Sequence, residues 1–309
     1  MRVLISGSTG FIGQNLIPYL QKHVTDLEVF VLVRQKKGLE NEILWDELDT
    51  TTIENLTAVI HLAGLAHDTK NSLNDDAYFH VNYELTKQLY DWSVKNNATK
   101  FIYTSSVKAV ADSVECVLEE EDNAAPVTAY GISKLKAEQY IQQSSTNSLT
   151  YYILRPCMVH GPGNKGNLNL LYKFVKKGLP YPLGAFDNNR SFLAIENFCY
   201  VVNELITRDI ESGVYNLADD KAISTKELFS IISQVIGQKA KVWNIPKGVV
   251  ATAASIGGLF KLPLNTERLD KLTENYVVSN KKIKQALHID KLPVAVEDGI
   301  TKTIFSFES

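Results

Sequence analysis

The sequence is poor in everything that would mark a secreted, metal-binding or nucleic-acid-binding protein. It holds 3 cysteines in 309 residues, Cys116, Cys157 and Cys199. Their number is odd and their spacing matches no metal site. That argues against a disulfide framework and for a reducing compartment, the cytoplasm. Neither sign of charge is in excess, with 32 Lys+Arg against 35 Asp+Glu. No basic tract gathers the positive charge, so no nucleic-acid partner is expected. The most apolar run, Val249 to Phe260, falls short of the ~20 residues of a membrane span. It reads as a buried helix in the C-terminal part, and no membrane partner is expected. The chain enters an apolar strand at once, so no signal peptide is expected. Repeats and low-complexity linkers are missing too.

What is present is a core-forming composition, 45% hydrophobic, and one ordered stretch near the start. An apolar run, Arg2-Val3-Leu4-Ile5-Ser6, leads into Gly7-Ser8-Thr9-Gly10-Phe11-Ile12-Gly13, and a helical pattern follows from Phe11 to Lys22. Strand, glycine turn and helix form the layout a dinucleotide needs. Gly7 permits the tight turn, Gly10 lets backbone approach a pyrophosphate, and Gly13 lets helix and strand pack closely. The N–H groups around Thr9, Gly10, Phe11 and Ile12 then face the phosphates. Further strand candidates are Glu28–Val33, Ala58–Leu62, Lys100–Ser105 and Thr150–Leu154. Helical patterns at about Asp75–Asn96 and Thr128–Gln143 lie among them. This alternation predicts an α/β fold, a doubly wound parallel sheet. Pro18 lies inside the first helix and is expected to kink it. The region from Gly38 to Glu54 reads as irregular.

The second strand ends at Val33-Arg34, followed by Gln35-Lys36-Lys37. An acidic residue here would bind the ribose hydroxyls of NAD. Arg34 cannot accept those bonds but can pair with a 2′-phosphate, with Lys36 or Lys37 nearby. NADP(H) is therefore favoured over NAD(H). Downstream, Phe101-Ile102-Tyr103-Thr104-Ser105-Ser106 is a strand ending in two hydroxyls, and Tyr130-Gly131-Ile132-Ser133-Lys134 opens a helix. Four residues apart, Tyr130 and Lys134 share a helix face. A free phenol, with a pKa of ~10, is a weak base at neutral pH. A nearby ammonium favours its phenolate. Ser106, Tyr130 and Lys134 thus form a candidate catalytic set. Ser106 would hold a substrate oxygen, and Tyr130 would carry the proton. His61, within a strand, reads as packed rather than catalytic, and the role of His67 is open.

These motifs together resemble the extended short-chain dehydrogenases/reductases, of the nucleotide-sugar epimerase/dehydratase/reductase type. Leu154-Arg155-Pro156, Gly161-Pro162-Gly163 and Asn189-Arg190-Ser191-Phe192-Leu193 add to the likeness, which weakens after about Gly237. The resemblance implies a dinucleotide-binding domain over residues 1–163, also receiving segments from about 190–218. It implies a smaller mixed α/β substrate domain over residues 164–309, interleaved with the first. It adds Leu62 and Ala63, passing under the nicotinamide ribose, and Asn82, bracing the active-site backbone, to the cofactor residues, with Pro156. For a nucleotide-sugar substrate it implies Ser105, Ser106, Asn167, Arg190 as a diphosphate clamp, and Arg268; Lys108, in a run that departs from the family's frequent Tyr-Gly, is a candidate to reach a phosphate or a solvated lysine. No metal is implied. Dehydratases of the family carry an Asp-Glu pair where this chain has Val107-Lys108, so 4,6-dehydration is not expected. Cys157 and His160 could form an acid-base pair but read as packing.

The implied activity is NAD(P)-dependent oxidoreduction at C4 of a nucleotide sugar, with UDP as carrier. Arg34 favours a 4-keto-sugar reductase. A 4-epimerase holding bound NAD is the alternative, and a non-catalytic NADP-binding sensor is the alternative of another class. Apolar residues cover more than one face of the patterns Asn82–Asn96 and Ala129–Gln143: Tyr83, Leu85, Leu89, Tyr90 and Trp92, then Ile132, Leu135, Tyr140 and Ile141. Packing on one sheet needs a single stripe, so a homodimer through these helices is expected.

Overall fold

The computed structural model describes every residue except 39, 67–73, 165, 260–264 and 309; the side chains of 167, 257–259, 267, 268 and 271 also lie outside the described set. Seven strands form its main sheet: β1 (Arg2–Ser6), β2 (Glu28–Val33), β3 (Glu42–Leu44), β4 (Leu56–His61), β5 (Lys100–Thr104), β6 (Thr150–Pro156) and β7 (Gly213–Leu217). Their order is β7-β6-β5-β4-β1-β2-β3, and every neighbouring pair is parallel. The order reverses between β1 and β4. In such sheets the crevice outside the carboxyl ends of these strands is the ligand site.

Strands buried on both faces have no polar side, which is why they read as continuous apolar runs. The two faces still separate by alternate residues. On one face Val3, Ile5, Ala58, Ile60, Ile102, Tyr152 and Leu154 pack with Leu16 and Leu20 of α1 (Phe11–His23). On the other, Leu4, Val59, Phe101, Tyr103 and Ile153 meet Leu89, Tyr90 and Trp92 of α2 (Leu85–Lys95), and Ala137 and Ile141 of α3 (Ala129–Gln143). A further helix, α4 (Ile195–Thr207), adds Phe198, Val202 and Leu205 to the α1 side. Pro18 does not end α1. It is exposed, and so is Gln14, whose carbonyl loses its helical donor and can turn to water instead.

After β6 the chain leaves the sheet to build a smaller layer. Its core holds Leu168, Tyr172, Tyr181 and Leu183, then Phe229 and Ile232 of α5 (Thr225–Val235), Val250 and Ala254 of α6 (Lys247–Leu259), and Ile300 and Ile304 of α7 (Val296–Glu308). A Ser224–Glu227 capping box starts α5. The chain returns through Phe192–Ala194, paired with Met158–His160, then α4 and β7. A second small pair joins Val117–Leu118 to Val277–Val278. The segments that form the two layers therefore interleave along the chain.

Two expectations need correction. The stretch read as irregular contains β3 and a 3₁₀ segment, Trp45–Thr50. The Glu47 carboxylate accepts the Leu44 amide and so caps the segment's start. The run from Val249 does form a helix, α6, but not a buried one. Val250 and Ala254 face the core, whereas Val249 is 58% and Ile256 51% exposed.

One buried ion pair locks α3 to the sheet. Arg155 on β6 donates to both carboxylate oxygens of Glu138 on α3, at 2.6 Å from Nη2 and 3.0 Å from Nε. Both side chains are almost fully buried. Breaking such a pair strands a charge. Arg155→Met should therefore destabilise the fold by roughly 3–5 kcal/mol, and Arg155→Met/Glu138→Leu should recover part of that. Urea unfolding of both variants checks this; a single variant as stable as the parent would show that the pair holds nothing together.

Candidate active site

The glycine turn meets its geometric demands. Gly7 adopts φ +75°, and a Cβ there would come within 2.6 Å of the Ala63 amide nitrogen. At Gly13 a Cβ would lie 2.5 Å from the Gly7 carbonyl oxygen, so the close contact it permits is with the turn itself. Thr9 and Gly10 are exposed, and no side chain caps the start of α1. Uncapped N–H groups beside an open glycine cradle form an anion site that fits a dinucleotide's pyrophosphate.

Beyond β2, Lys36 pairs with Glu47 at 2.8 Å. The Glu42 carboxylate accepts the amides of Lys37 and Gly38. Part of the basic character legible at Arg34-Gln35-Lys36-Lys37 is thus neutralised internally. Arg34 is exposed and has no hydrogen-bond or ion-pair partner among the described residues.

A connected polar layer lies under the crevice. His61, fully buried at the end of β4, hydrogen-bonds Ser6 through Nδ1 at 2.5 Å and Thr86 through Nε2 at 2.9 Å. The Ser6 hydroxyl accepts the Ala63 amide at 3.2 Å. Thr86 donates to the Asn82 carbonyl. Asn82 sits in a π-helical turn, His80–Glu84, a distortion that often marks functional sites. Its side chain accepts from the Leu65 amide and donates to the Leu65 carbonyl and to Ser133. That amide is fully occupied as a brace. Burial, and behind it the Lys134 charge, lowers the His61 pKa to about 3.

Above this layer stand Ser106, Tyr130 and Lys134. Thr128 caps α3 by accepting the Gly131 amide, so Tyr130 lies in its first turn and Lys134 one turn on. The Lys134 ammonium donates to the Thr104 carbonyl at 2.8 Å, lies 4.8 Å from the Tyr103 ring centre, and would sit 3.0 Å from a Cβ at Gly64. Burial lowers its pKa to about 7, with Glu138 pulling the other way. Burial raises the Tyr130 phenol, and its hydrogen bond with the Ser106 side chain offsets part of that. Ser106 is extended and starts a 3₁₀ turn by accepting the Lys108 amide.

Not every expected residue joins this group. Ser105 is buried, and its hydroxyl is spent on a hydrogen bond to Glu138. Lys108 donates to the Asp112 carbonyl and lies 4.4 Å from the Tyr276 ring centre. Arg190 pairs with Glu274 at 3.1 Å. Leu62 and Ala63 lie against Gly7, and Pro156 is buried at the end of β6. The side chains of Asn167 and Arg268, and all of His67, lie outside the described residues. His160 is buried, bonded to Thr303 at 2.9 Å and 3.8 Å from Asp219. Burial raises the Cys157 thiol well above its ordinary value, so thiolate is disfavoured. Glu138 is a member that sequence reasoning missed. Its signal was its spacing, one helical turn beyond Lys134 and two beyond Tyr130.

Known proteins resemble the chain in sequence and in fold. The profile of the NAD dependent epimerase/dehydratase family matches residues 3–218. A UDP-glucose 4-epimerase of Vibrio cholerae is 30% identical over 99% of the chain and 95% of the relative. A dTDP-4-dehydro-6-deoxyglucose reductase of Escherichia coli is 23% identical over 78% of the chain and 83% of the relative. Two solved structures share the fold. One is a UDP-glucuronic acid 4-epimerase from Bacillus cereus with NAD: TM-score 0.76, 18% identity, 100% of this chain and 96% of that one. The other is RMD from Pseudomonas aeruginosa with NADPH: TM-score 0.73, 21% identity, 99% of each chain.

The buried His61 carries a pH signature. It stays neutral in the folded state down to about pH 3, whereas unfolded histidine takes up a proton near pH 6.5. Its contribution is complete above pH 6.5 and is lost as pH falls toward 3. The slope is about 1.4 kcal/mol per pH unit. Between pH 6.5 and 5, His61→Gln should therefore lose about 2 kcal/mol less stability than the parent. Urea titrations at the two pH values measure the difference; identical losses would mean that His61 titrates freely in the fold.

Proposed function

Because the chain belongs to the NAD-dependent epimerase/dehydratase family, an enzyme family acting on nucleotide sugars, we propose that it reduces a 4-keto group on a UDP-linked sugar with NADPH. A bound nicotinamide cofactor supplies the hydride. The other steps fall to side chains of this chain. Ser106 hydrogen-bonds the C4 oxygen. Tyr130 gives that oxygen its proton, and its raised pKa keeps the phenol protonated at neutral pH, the form a reduction starts from. Lys134, near pH 7 at the midpoint of its own titration, favours the phenolate left behind. Arg190 clamps the diphosphate after releasing Glu274, since a guanidinium fork matches phosphate oxygens.

The observation that carries the NADPH reading is Arg34, without an acidic side chain beside it at the end of β2 and without a described partner. A reductase exchanges its cofactor at every turnover and draws on the reduced pool. The second reading, a UDP-hexose or UDP-N-acetylhexosamine 4-epimerase with retained NAD, is favoured by the Vibrio cholerae relative, which matches over nearly the whole chain.

We also propose a homodimer. Leu89, Tyr90, Trp92 and Ile141 are satisfied within the protomer. Tyr83, Leu85, Ile132, Leu135 and Tyr140 remain half-exposed on α2, α3 and the turn before α2. A twofold four-helix contact would bury them.

Four outcomes are expected. Tyr130→Phe should keep its fold and cofactor affinity while turnover falls of order 10²–10⁴-fold; parent-like turnover would remove Tyr130 from the chemistry. Purified without added cofactor, the protein should consume NADPH only with a UDP-4-keto sugar. Arg34→Asp should raise the KM for NADPH roughly ten- to a hundredfold, as loss of a charged hydrogen bond does, and leave NADH little changed. Interconversion of UDP-glucose or UDP-N-acetylglucosamine with the galacto epimer, sustained by retained NAD, would replace the reductase reading with the epimerase one. Light scattering at micromolar concentration should give twice the chain mass; a monomer would count against the four-helix contact.

A further inference from the structure

Charge is nearly balanced over the whole chain, but not over residues 228–266. That stretch holds four lysines, 239, 241, 247 and 261, and no aspartate or glutamate. It also supplies three of the large apolar side chains that are more than half exposed: Trp243 at 56%, Val249 at 58% and Ile256 at 51%.

The local structure explains why these side chains point outward. Residues 240–244 run extended beside Tyr181–Leu183, with the Tyr181 amide bonded to the Lys241 carbonyl and the Trp243 amide to the Tyr181 carbonyl. Side chains alternate along an extended segment. Ala240 and Val242 pack into the small core, so Lys239, Lys241 and Trp243 take the opposite side, and all three are exposed. Leu179, one residue beyond the Gly178 carbonyl that Lys241 reaches, is exposed beside them. Past Pro246, α6 repeats the division at helical spacing. Val250 and Ala254, four apart, face the same small core. Val249, Ala253 and Ile256, at i, i+4 and i+7, face away from it and are exposed. The segment and the helix thus turn their backs on one shared core and present an outer layer of aliphatic groups, one indole and lysines.

We propose that this outer layer docks on an anionic lipid bilayer, lying in its interface without crossing it. Three features select that occupant. Tryptophan and aliphatic side chains with lysines around them are the groups an interfacial segment presents. An acid-free basic stretch is attracted to a negative membrane surface by about 1 kcal/mol per lysine. A second copy of the chain is disfavoured, because a twofold contact would set this patch against itself and bring like charges together. No described helix is long and apolar enough to cross a membrane, so the contact is peripheral. The expectation of no membrane partner rested on the lack of a spanning run, which does not bear on surface binding. The inference is independent of which sugar the enzyme uses.

Flotation with vesicles tests it directly. The full chain should float with phosphatidylcholine/phosphatidylglycerol vesicles, bind pure phosphatidylcholine much more weakly, and leave the anionic vesicles at high salt. Lys239→Ser and Lys241→Ser should each lower the partition coefficient roughly fivefold. Val249→Ser/Ile256→Ser should abolish flotation while vesicle-free enzyme activity and thermal midpoint stay at parent values. Failure to float with anionic vesicles would overturn the proposal. So would flotation unaffected by these variants. A halving of the solution mass in Val249→Ser/Ile256→Ser, without vesicle binding by the parent, would reassign the patch to a subunit contact.

Discussion

The site depends on one backbone-to-backbone contact. Gly7 lies so close to the Leu62–Ala63 peptide that no side chain can stand between them. This approach draws the end of β1 onto the end of β4, where the strand order reverses. It leaves the N-terminus of α1 pointing along the crevice and places Gly64 next to Lys134. Anything that pushed these backbones apart would separate the phosphate cradle from the Ser106–Tyr130–Lys134 group, although the two are more than 90 residues apart in sequence.

The polar layer beneath the crevice is costly to bury, and most of its groups are matched, although the Thr104 hydroxyl has no partner among the described residues. Arg155 neutralises Glu138, which accepts Ser105 as well. Asn82 spends both ends of its amide on Leu65 and Ser133. His61 is held neutral between Ser6 and Thr86. With its supports saturated in this way, the layer offers few alternative hydrogen-bonding patterns, and the groups above it are held in place before any substrate arrives. Lys134 is another exception. Its ammonium has a carbonyl partner and an aromatic face but no adjoining carboxylate within ion-pair distance among the described residues, and burial brings it to about pH 7. An ionisable group held at that balance responds to small changes in nearby charge.

What the sequence revealed was local. Glycines three apart between strand and helix, hydroxyls at a strand end, and tyrosine four before lysine each depend on a few adjacent residues. The parallel sheet followed from apolar runs alternating with helical patterns. Pairings between distant residues were not legible. Glu138 and Arg155 are 17 residues apart, and Ser6 and His61 are 55 apart. Ser105 and Ser106 look alike in the sequence, yet alternation at the strand end sends one hydroxyl to Glu138 and leaves the other beside Tyr130. The run from Val249 showed the limit of composition. Apolar residues all around a helix do not reveal which face the rest of the chain covers. The short β3 has too few residues to show a period.

Helix α7 has a consequence for how the protein is made. Ile300 and Ile304 are completely buried, Thr303 bonds His160, and a Cβ at Gly299 would strike Ala194. These contacts close onto strands 158–160 and 192–194, which link the two layers. A nascent chain emerging from the ribosome in order therefore exposes an unfinished core until α7 is free, so folding cannot be completed stepwise by halves. Changes within α7 therefore act on the contact between the two layers.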